Sequence, residues 1–407
     1  MLDHGIGKQP SISLIRGVEG YFFYKKERGR MKEREVLFGL HETRGIGWAT
    51  INHVRSLVGD LTVLCAMTEK EVCALPFPPN RRGVPFPESR RRLIWQGSRP
   101  GFIADQLLKL EKFGFQFVTI VDEEYPHYLY HTFGAPWVFY YAGNYELLKL
   151  PVVAIVGTRV PTAYGKRVAR TLAYELSQAG WHVASGMARG IDSEAHIGAL
   201  QGPGSTIAVL GSPVNIPYPK ENTPLYERIR AEGLVISEYP IGTPIKNGMF
   251  PERNRIISGV SLGTVVVEAD MGSGSLITAN FALAQGREIF AVPGPISSPK
   301  SAGALDLIKH SGAHLLMSVH DIFKELHEAY PQYCPMPALP QAAEQSRFLL
   351  TADEQKTLSH ISDIPITFDH LYEATQFDFG HLHSVLISLL VKKRIEQQPG
   401  SSYILSY

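Results

Sequence analysis

Four loops in the middle of this 407-residue chain carry residue types suited to holding phosphate. The first, Gly157-Thr158-Arg159-Val160-Pro161-Thr162, follows the apolar run Val152–Val156 and opens a helical stretch. Amides at a helix start lack intrahelical acceptors and sit at the positive end of its dipole, so they favour an anion. Arg159 adds a bidentate donor, and Lys166 on the following helix is a further cation. The second loop is Ser185-Gly186-Met187-Ala188-Arg189-Gly190-Ile191-Asp192. Its glycines let backbone approach a ligand closely; Ser185, Gly186 and Arg189 are the candidate contacts, and Asp192 is expected to cap the next helix. The third holds Arg253-Asn254-Arg255 within Phe250–Gly259. Arginines two apart aim in different directions, one at phosphate and one at a structural carboxylate, and either could take either role. The fourth, Met271-Gly272-Ser273-Gly274-Ser275, offers amides and hydroxyls at a helix start. Tyr218-Pro219-Lys220 adds a ring for base stacking and a cation.

Each segment alone also reads as an ordinary strand–helix turn. Together they place several cradles on one rim. A mononucleotide needs one or two cradles; a row of them suits successive phosphates, as in a strand of nucleic acid.

Other chemistries find less support. The Gly-x-Gly-x-x-Gly fingerprint is missing, which disfavours a dinucleotide cofactor, and no cofactor or metal is expected. Ser/His/Asp and metal-ligand groupings are missing too; His182 and His196 read as satisfied structural groups. Cys65, Cys73 and Cys334 have no metal or redox spacing and read as buried free thiols in a reducing cytosol. Net charge is +1, so any basic surface must be local. No apolar run reaches the ~18 residues of a membrane span, and no signal peptide opens the chain, so the expected location is cytoplasmic.

The elements that must position these loops follow from periodicity. Val152–Val156, His182–Ala184, Thr206–Leu210, Leu234–Ser237, Thr264–Glu268 and Glu288–Val292 are short runs without alternation, as expected of strands covered on both faces in a parallel sheet. Thr162–Gln178 and Leu276–Gln285 read as helices between them, with Gly180 and Gly286 at their C-terminal ends. A further strand is expected at Phe115–Val121. The predicted fold is α/β, an extended Rossmann-like doubly wound parallel sheet over residues 111–328. An extension (1–35, with Met31 a candidate start) and a helical domain (36–110) precede it. The helical domain contains Gly45-Ile46-Gly47, a turn of the kind whose amides can touch DNA backbone or simply join two helices. It also contains Arg81, Arg82, Arg90, Arg91 and Arg92, which read as a solvated surface loop before a phosphate-contacting one. A proline-rich linker (329–345) leads to a winged helix (346–407), with a Thr351–Glu354 capping box, an apolar third helix at Gly380–Lys393 and strands at Arg394–Gln398 and Ser402–Leu405.

In order along the chain, these motifs resemble the DprA/Smf family. Val156–Arg159, Ser185–Asp192, Phe250–Ser261, Glu268–Ala279 and Gly286–Gly294 match its sequence blocks, and the resemblance covers about residues 36–325. It implies an extended Rossmann domain behind a sterile-alpha-motif-like (SAM-like) helical domain. It also implies homodimers without enzymatic activity that bind and shield single-stranded DNA and deliver RecA recombinase during natural transformation, with single-strand-binding protein a further partner. The family's DNA contacts map to Arg159 and Lys220, and its dimer face to Leu305, Ile308 and Leu315. One stretch departs from the pattern: Leu305 replaces an asparagine, and one residue is added before Gly312.

Two other readings compete. A phosphoribohydrolase-like enzyme would use Glu268, but its Pro-Gly-Gly-x-Gly-Thr loop is missing. A transcription factor would read bases with the third winged-helix helix, which is too apolar for that work.

Overall fold

A computed structural model describes residues 31–79, 83–149, 151–332, 334, 350–362, 364–392, 394–398 and 401–405. Its centre is a nine-stranded sheet in the order β1-β2-β6-β5-β4-β3-β7-β8-β9. The strands are β1 (Gln116–Thr119), β2 (Val138–Gly143), β3 (Val152–Val156), β4 (His182–Ser185), β5 (Thr206–Leu210), β6 (Leu234–Ser237), β7 (Gly263–Val266), β8 (Glu288–Ala291) and β9 (His314–Leu315). From β6 to β9 the pairing is parallel. β1 and β2 extend it antiparallel beyond β6.

Non-alternating apolar runs bury both faces, because neighbouring side chains point to opposite sides of a strand. Ile207 and Val209 pack on one face, Ala208 and Leu210 on the other. The crossovers are α7 (Ala163–Gln178), α8 (Ile191–Ala199), α9 (Thr223–Glu232), α10 (Met249–Gly259), α11 (Gly274–Ala284) and α12 (Pro299–His310); α13 (Val319–Ala329) follows β9. They come after α1 (Glu33–Glu42), α2 (Trp48–Val58), α3 (Glu69–Ala74), α4 (Glu88–Gly97), α5 (Pro100–Lys112) and the short α6 (His127–Tyr130). Gly180 and Gly286 have φ of +79° and +66°, as helix-ending glycines should.

The expected strands all form, with ends shifted by a residue or two; the Phe115–Val121 run is trimmed to β1. β2 and β9 were not foreseen. The helices of 33–112 share one core with the sheet: Val36, Leu37 and Phe38 cluster with Tyr140 and Val235. The chain divides into two units, Met1–Met336 and Pro337–Tyr407.

The Arg-rich stretch corrects the surface-loop expectation. Arg81 and Arg82 lie outside the described residues, but Arg90, Arg91 and Arg92 belong to α4. Arg91 donates to Cys73 O at 2.5 Å and Leu75 O at 2.7 Å, and its guanidinium stacks on Phe77. Arg92 pairs with Glu69 and Glu88. Of the cysteines, Cys334 is buried as expected, whereas Cys65 and Cys73 are half-buried. Residues 1–30 and most of the proline-rich linker lie outside the described residues. Among the described residues no helix is long and apolar enough to cross a membrane.

The second unit is a winged helix: α14 (Ala352–Leu358), α15 (Phe368–Thr375), α16 (Phe379–Val391) and a small sheet of β10 (Ile366–Thr367), β11 (Ile395–Gln398) and β12 (Ser402–Leu405). The capping box is present, Thr351 Oγ1 accepting from Glu354 N while Glu354 Oε2 accepts from Thr351 N. The carboxylate of Glu354 is buried and also receives Lys392 Nζ and Ser388 Oγ.

Candidate functional site

Strand order reverses at β3: β4, β5 and β6 lie on one side of it, β7, β8 and β9 on the other. A doubly wound sheet opens a crevice at such a switch point, beyond the carboxyl ends of its strands. Here that crevice is a cleft of about 370 Å³ lined by Gly157, Thr158, Arg159, Asn254, Ser273, Gly274 and Ser275, with Asp270 and Thr278 among its other walls. A narrower pocket adjoins it, sharing Arg159, Ala188, Phe250 and Arg253 and adding Gly186, Arg189 and Tyr218. The four loops and the Tyr218 segment therefore meet on one rim.

Main-chain bonds hold the loops in place. Thr158 N donates to Glu268 O at 2.7 Å, and Ile191 N donates to Thr158 O at 3.2 Å. Gly190 between them has φ +79°, and a Cβ there would stand 2.5 Å from Thr158 O, so the close approach of these two loops requires glycine. Thr162 caps α7 by accepting from Gly165 N, and the buried Glu268 carboxylate accepts from Thr162 N at 2.9 Å and Thr162 Oγ1 at 2.5 Å. Glu268 thus braces the helix start; it does not line the cleft.

Arg159 is exposed and has no ion-pair partner among the described residues. Lys220 is likewise exposed, one residue past the pocket wall at Pro219. Tyr218 is half-exposed, its ring 4.8 Å from that of Phe250. Ser273 caps α11, its Oγ accepting from Ser275 N and lying 2.7 Å from Ser275 Oγ. Asn254 Nδ2 donates to Gly274 O at 3.3 Å and ties α10 to this turn.

Several expected contacts are committed elsewhere. Ser185 is fully buried, its hydroxyl donating to Ile155 O at 2.6 Å across the sheet. Arg253 is 5 % exposed and donates to Gly186 O at 2.7 Å and to Val209 O. Burial pulls its guanidinium down to about 10, against the attraction of Asp192. Asp192 does not cap α8; the N-cap is Gly190. Its carboxylate turns back to accept from Gly186 N at 3.1 Å and Ala188 N at 3.3 Å, and burial pushes its pKa up. Arg255 is held by Glu238, its Nη2 within 2.7 Å of both carboxylate oxygens. Both arginines are therefore structural, not one of the two. Arg189 is exposed but paired with Glu221. Lys166 sits exposed on the first turn of α7 and is not part of the cleft wall. Of the histidines, His196 Nδ1 bonds Thr206 Oγ1 at 2.8 Å and His182 Nδ1 bonds Gly204 O, so both are structural as expected, but not fully satisfied: the buried Nε2 of each has no hydrogen-bond partner among the described residues.

At the far edge of the sheet, Leu305 and Ile308 on α12 are half-buried, and Ile308 packs against the core. Leu315 on β9 is 46 % exposed.

Residues 116–327 match the family model described as DNA recombination-mediator protein A, and residues 338–401 match the DprA winged helix domain. Among curated relatives, the chain is 34 % identical to protein Smf of Synechocystis over 71 % of its own length and 79 % of the relative's. It is 41 % identical to protein Smf of Escherichia coli (69 % and 74 %), and 42 % identical to DNA processing protein DprA of Bacillus subtilis (54 % and 74 %). The X-ray structure of DNA processing protein A from Streptococcus pneumoniae superposes with a TM-score of 0.62 at 32 % identity, covering 73 % of this chain and 99 % of that one.

Proposed function

This chain belongs to the DNA recombination-mediator protein A family, and from that premise we propose that it binds single-stranded DNA along the carboxyl edge of its sheet. In this role it shields the strand and loads RecA recombinase during DNA uptake, working in the cytoplasm as a homodimer and without catalysing a reaction. Its relatives carry names of DNA-processing proteins, which agrees with a nucleic-acid ligand.

The observation that carries the proposal is the rim itself. Four loops, each opening a helix or closing a strand, converge on the cleft and its adjoining pocket. The Gly157–Thr158 turn, Arg159, unpaired among the described residues, and the Ser273–Ser275 start of α11 with its hydroxyls face it, the donor types that phosphates need. Tyr218 and Phe250 offer ring faces beside these donors, and a base stacked on an aromatic contributes roughly 1–3 kcal/mol.

The phosphoribohydrolase alternative loses its catalytic group: the carboxylate of Glu268 is bound to the start of α7. The third winged-helix helix, α16, buries Leu382, Val385, Leu386 and Leu389 and exposes His381, His383, Ser384 and Ile387. It lacks the arginine and glutamine pattern of a base-reading helix, which favours an auxiliary or protein-contact role.

The test compares single-stranded and duplex oligonucleotides of equal length at two salt concentrations in a gel shift. Preferential retardation of the single strand, weakening as salt rises, is expected. Equal or duplex-preferring binding defeats the proposal, as does release of free base from a nucleoside monophosphate.

A further inference from the structure

A second cluster on the same molecule is not used by the cleft. The segment His127-Tyr-Leu-Tyr-His-Thr-Phe133 presents its rings outward: Phe133 is 94 % exposed and Tyr130 52 %. Exposed rings gathered into one patch, unlike a single exposed side chain, mark a surface that a ligand can cover. The Phe133 ring lies 6.3 Å from that of Trp48, the first residue of α2. Trp48 is fixed, its Nε1 donating to Ala135 O at 2.7 Å while Trp137 Nε1 donates to Trp48 O at 3.1 Å. The pair is therefore held on a rigid support.

Beside Trp48 runs an open groove of about 450 Å³, walled by Gly45, Gly47, Thr50 and Arg90. Gly47 caps α2 without a side chain, so the Trp48 and Ala49 amides have no intrahelical acceptor, while Thr50 N donates to Gly47 O at 2.9 Å. Arg90 and Arg44 are exposed and form no ion pair among the described residues. Rings, cations and amides are thus collected in one place.

Position argues for the occupant. β2 runs antiparallel to β6, Tyr140 opposite Ser237, so the segment leading into β2 lies at the carboxyl end of β6. The phosphate cleft opens at the carboxyl ends of β3 and β7, on the same edge of the same sheet. Four strand spacings of ~4.8 Å separate β6 from β7, or roughly 20 Å. The loops of β5 and β4, with Tyr218 and Gly186, lie between.

We propose that Phe133, Trp48 and the Gly45–Thr50 groove with Arg90 form a second contact for single-stranded nucleic acid, continuing the track from the cleft onto the helical part of the molecule. Phe133 stacks a base, and Arg90 and the α2 amides hold a neighbouring phosphate. This rests on the single-strand reading of the cleft, so the experiment separates the two.

Full-length protein is titrated with oligothymidylates of about 6 and about 20 nucleotides, lengths that bracket the ~4–16-nucleotide sites of single-strand grooves. Phe133→Ala, at a site too exposed to disturb folding, should weaken the longer strand about five-fold or more and leave the shorter within about two-fold. Phe133→Trp should keep the longer strand tight. Arg159→Ala should weaken both lengths. If Phe133→Ala leaves both lengths unchanged, or weakens both alike, while Arg159→Ala weakens both, the second contact is refuted and the cleft stands. If Arg159→Ala changes neither, or the parent protein binds neither, the cleft reading falls and takes the second contact with it.

Discussion

Two arginines about the same cleft should behave in opposite ways when removed. Arg253 is buried and donates to two carbonyl oxygens, and it meets Asp192 on one side of Gly186: a Cβ on Gly186 would stand 2.5 Å from Arg253 and 2.7 Å from Asp192. In Arg253→Met the carbonyls lose charged donors and the buried Asp192 loses its cation. Breaking a buried charged pair costs about 3–5 kcal/mol, most of it the charge left behind. Unfolding entropy near 2.1 cal/mol/K per residue, over ~300 ordered residues, is about 0.6 kcal/mol/K, so the midpoint should fall about 5–8 °C. Arg159→Ala removes an exposed side chain and should shift the midpoint by about 1 °C or less. Its effect belongs to binding: losing one phosphate contact should flatten the log–log salt slope on a single strand by about 0.7. Calorimetry and fluorescence titration between about 50 and 200 mM salt read both quantities. A stable Arg253→Met with a flattened slope, or an Arg159→Ala that melts several degrees early with an unchanged slope, would reverse the assignment and refute the reasoning.

Leu315→Arg places a charge on the exposed edge strand β9. Light scattering should then report a folded monomer with weaker cooperative binding, and persisting dimers would remove this edge from the assembly. In the winged helix, burial alone would raise Glu354, but Lys392, Ser388 and the Thr351 amide outweigh it and hold its pKa at about 2, below the ordinary 4.5. A folded-state pKa lowered in this way stabilises above the ordinary value and loses that contribution as pH falls from about 4.5 towards 2. Protection against hydrogen exchange in α14 and α16, measured relative to the intrinsic rate at each pH, should fall over that window, and Glu354→Gln should be loosened already at neutral pH with a flatter profile.

Much of the central sheet was legible because its strands are short apolar runs between turn residues. Val152–Val156 and Thr206–Leu210 can be buried on both faces only in a covered parallel sheet. The capping box at Thr351 and the glycines 180 and 286 are local signals and appear as local structure. β2 was missed although Val138-Phe-Tyr-Tyr-Ala-Gly is aromatic and apolar, a composition that marked a strand. In the site, the loop positions could be read and the side-chain assignments only partly. Arg255, on α10, finds Glu238 seventeen residues upstream, just past the end of β6. Ser185 finds a carbonyl on β3, thirty residues away. The first partner is set by how the β6–α10 connection folds back and the second by strand order, neither of which a local pattern encodes. Phe133 was overlooked because its segment reads as a turn before β2; its run of aromatic residues was the available signal.

The same assignments determine what kind of binding site remains. With Arg253 bound to buried carbonyls, Arg255 held by Glu238 and Arg189 tied to Glu221, the cations free at the rim among the described residues are Arg159 and, just beyond it, Lys220, while Asp270 brings a negative charge to the same wall. Attraction by net charge is therefore weak, in keeping with +1 over the whole chain. What lines the cleft beside these cations is the backbone of the Gly157–Arg159 turn and of the Ser273–Ser275 start of α11, while Asp192 already takes the Gly186 and Ala188 amides. Amides hold a phosphate through direction and not through long-range field, so they suit a strand of any sequence. Such a site releases few counterions per protomer: with two or three phosphate contacts at about 0.7 each, the slope would be near −1.4 to −2. An interface of this kind gains strength by repeating along the strand, which is why the aromatic contact at Phe133 and the apolar edge at Leu315 matter more to it than one further arginine would.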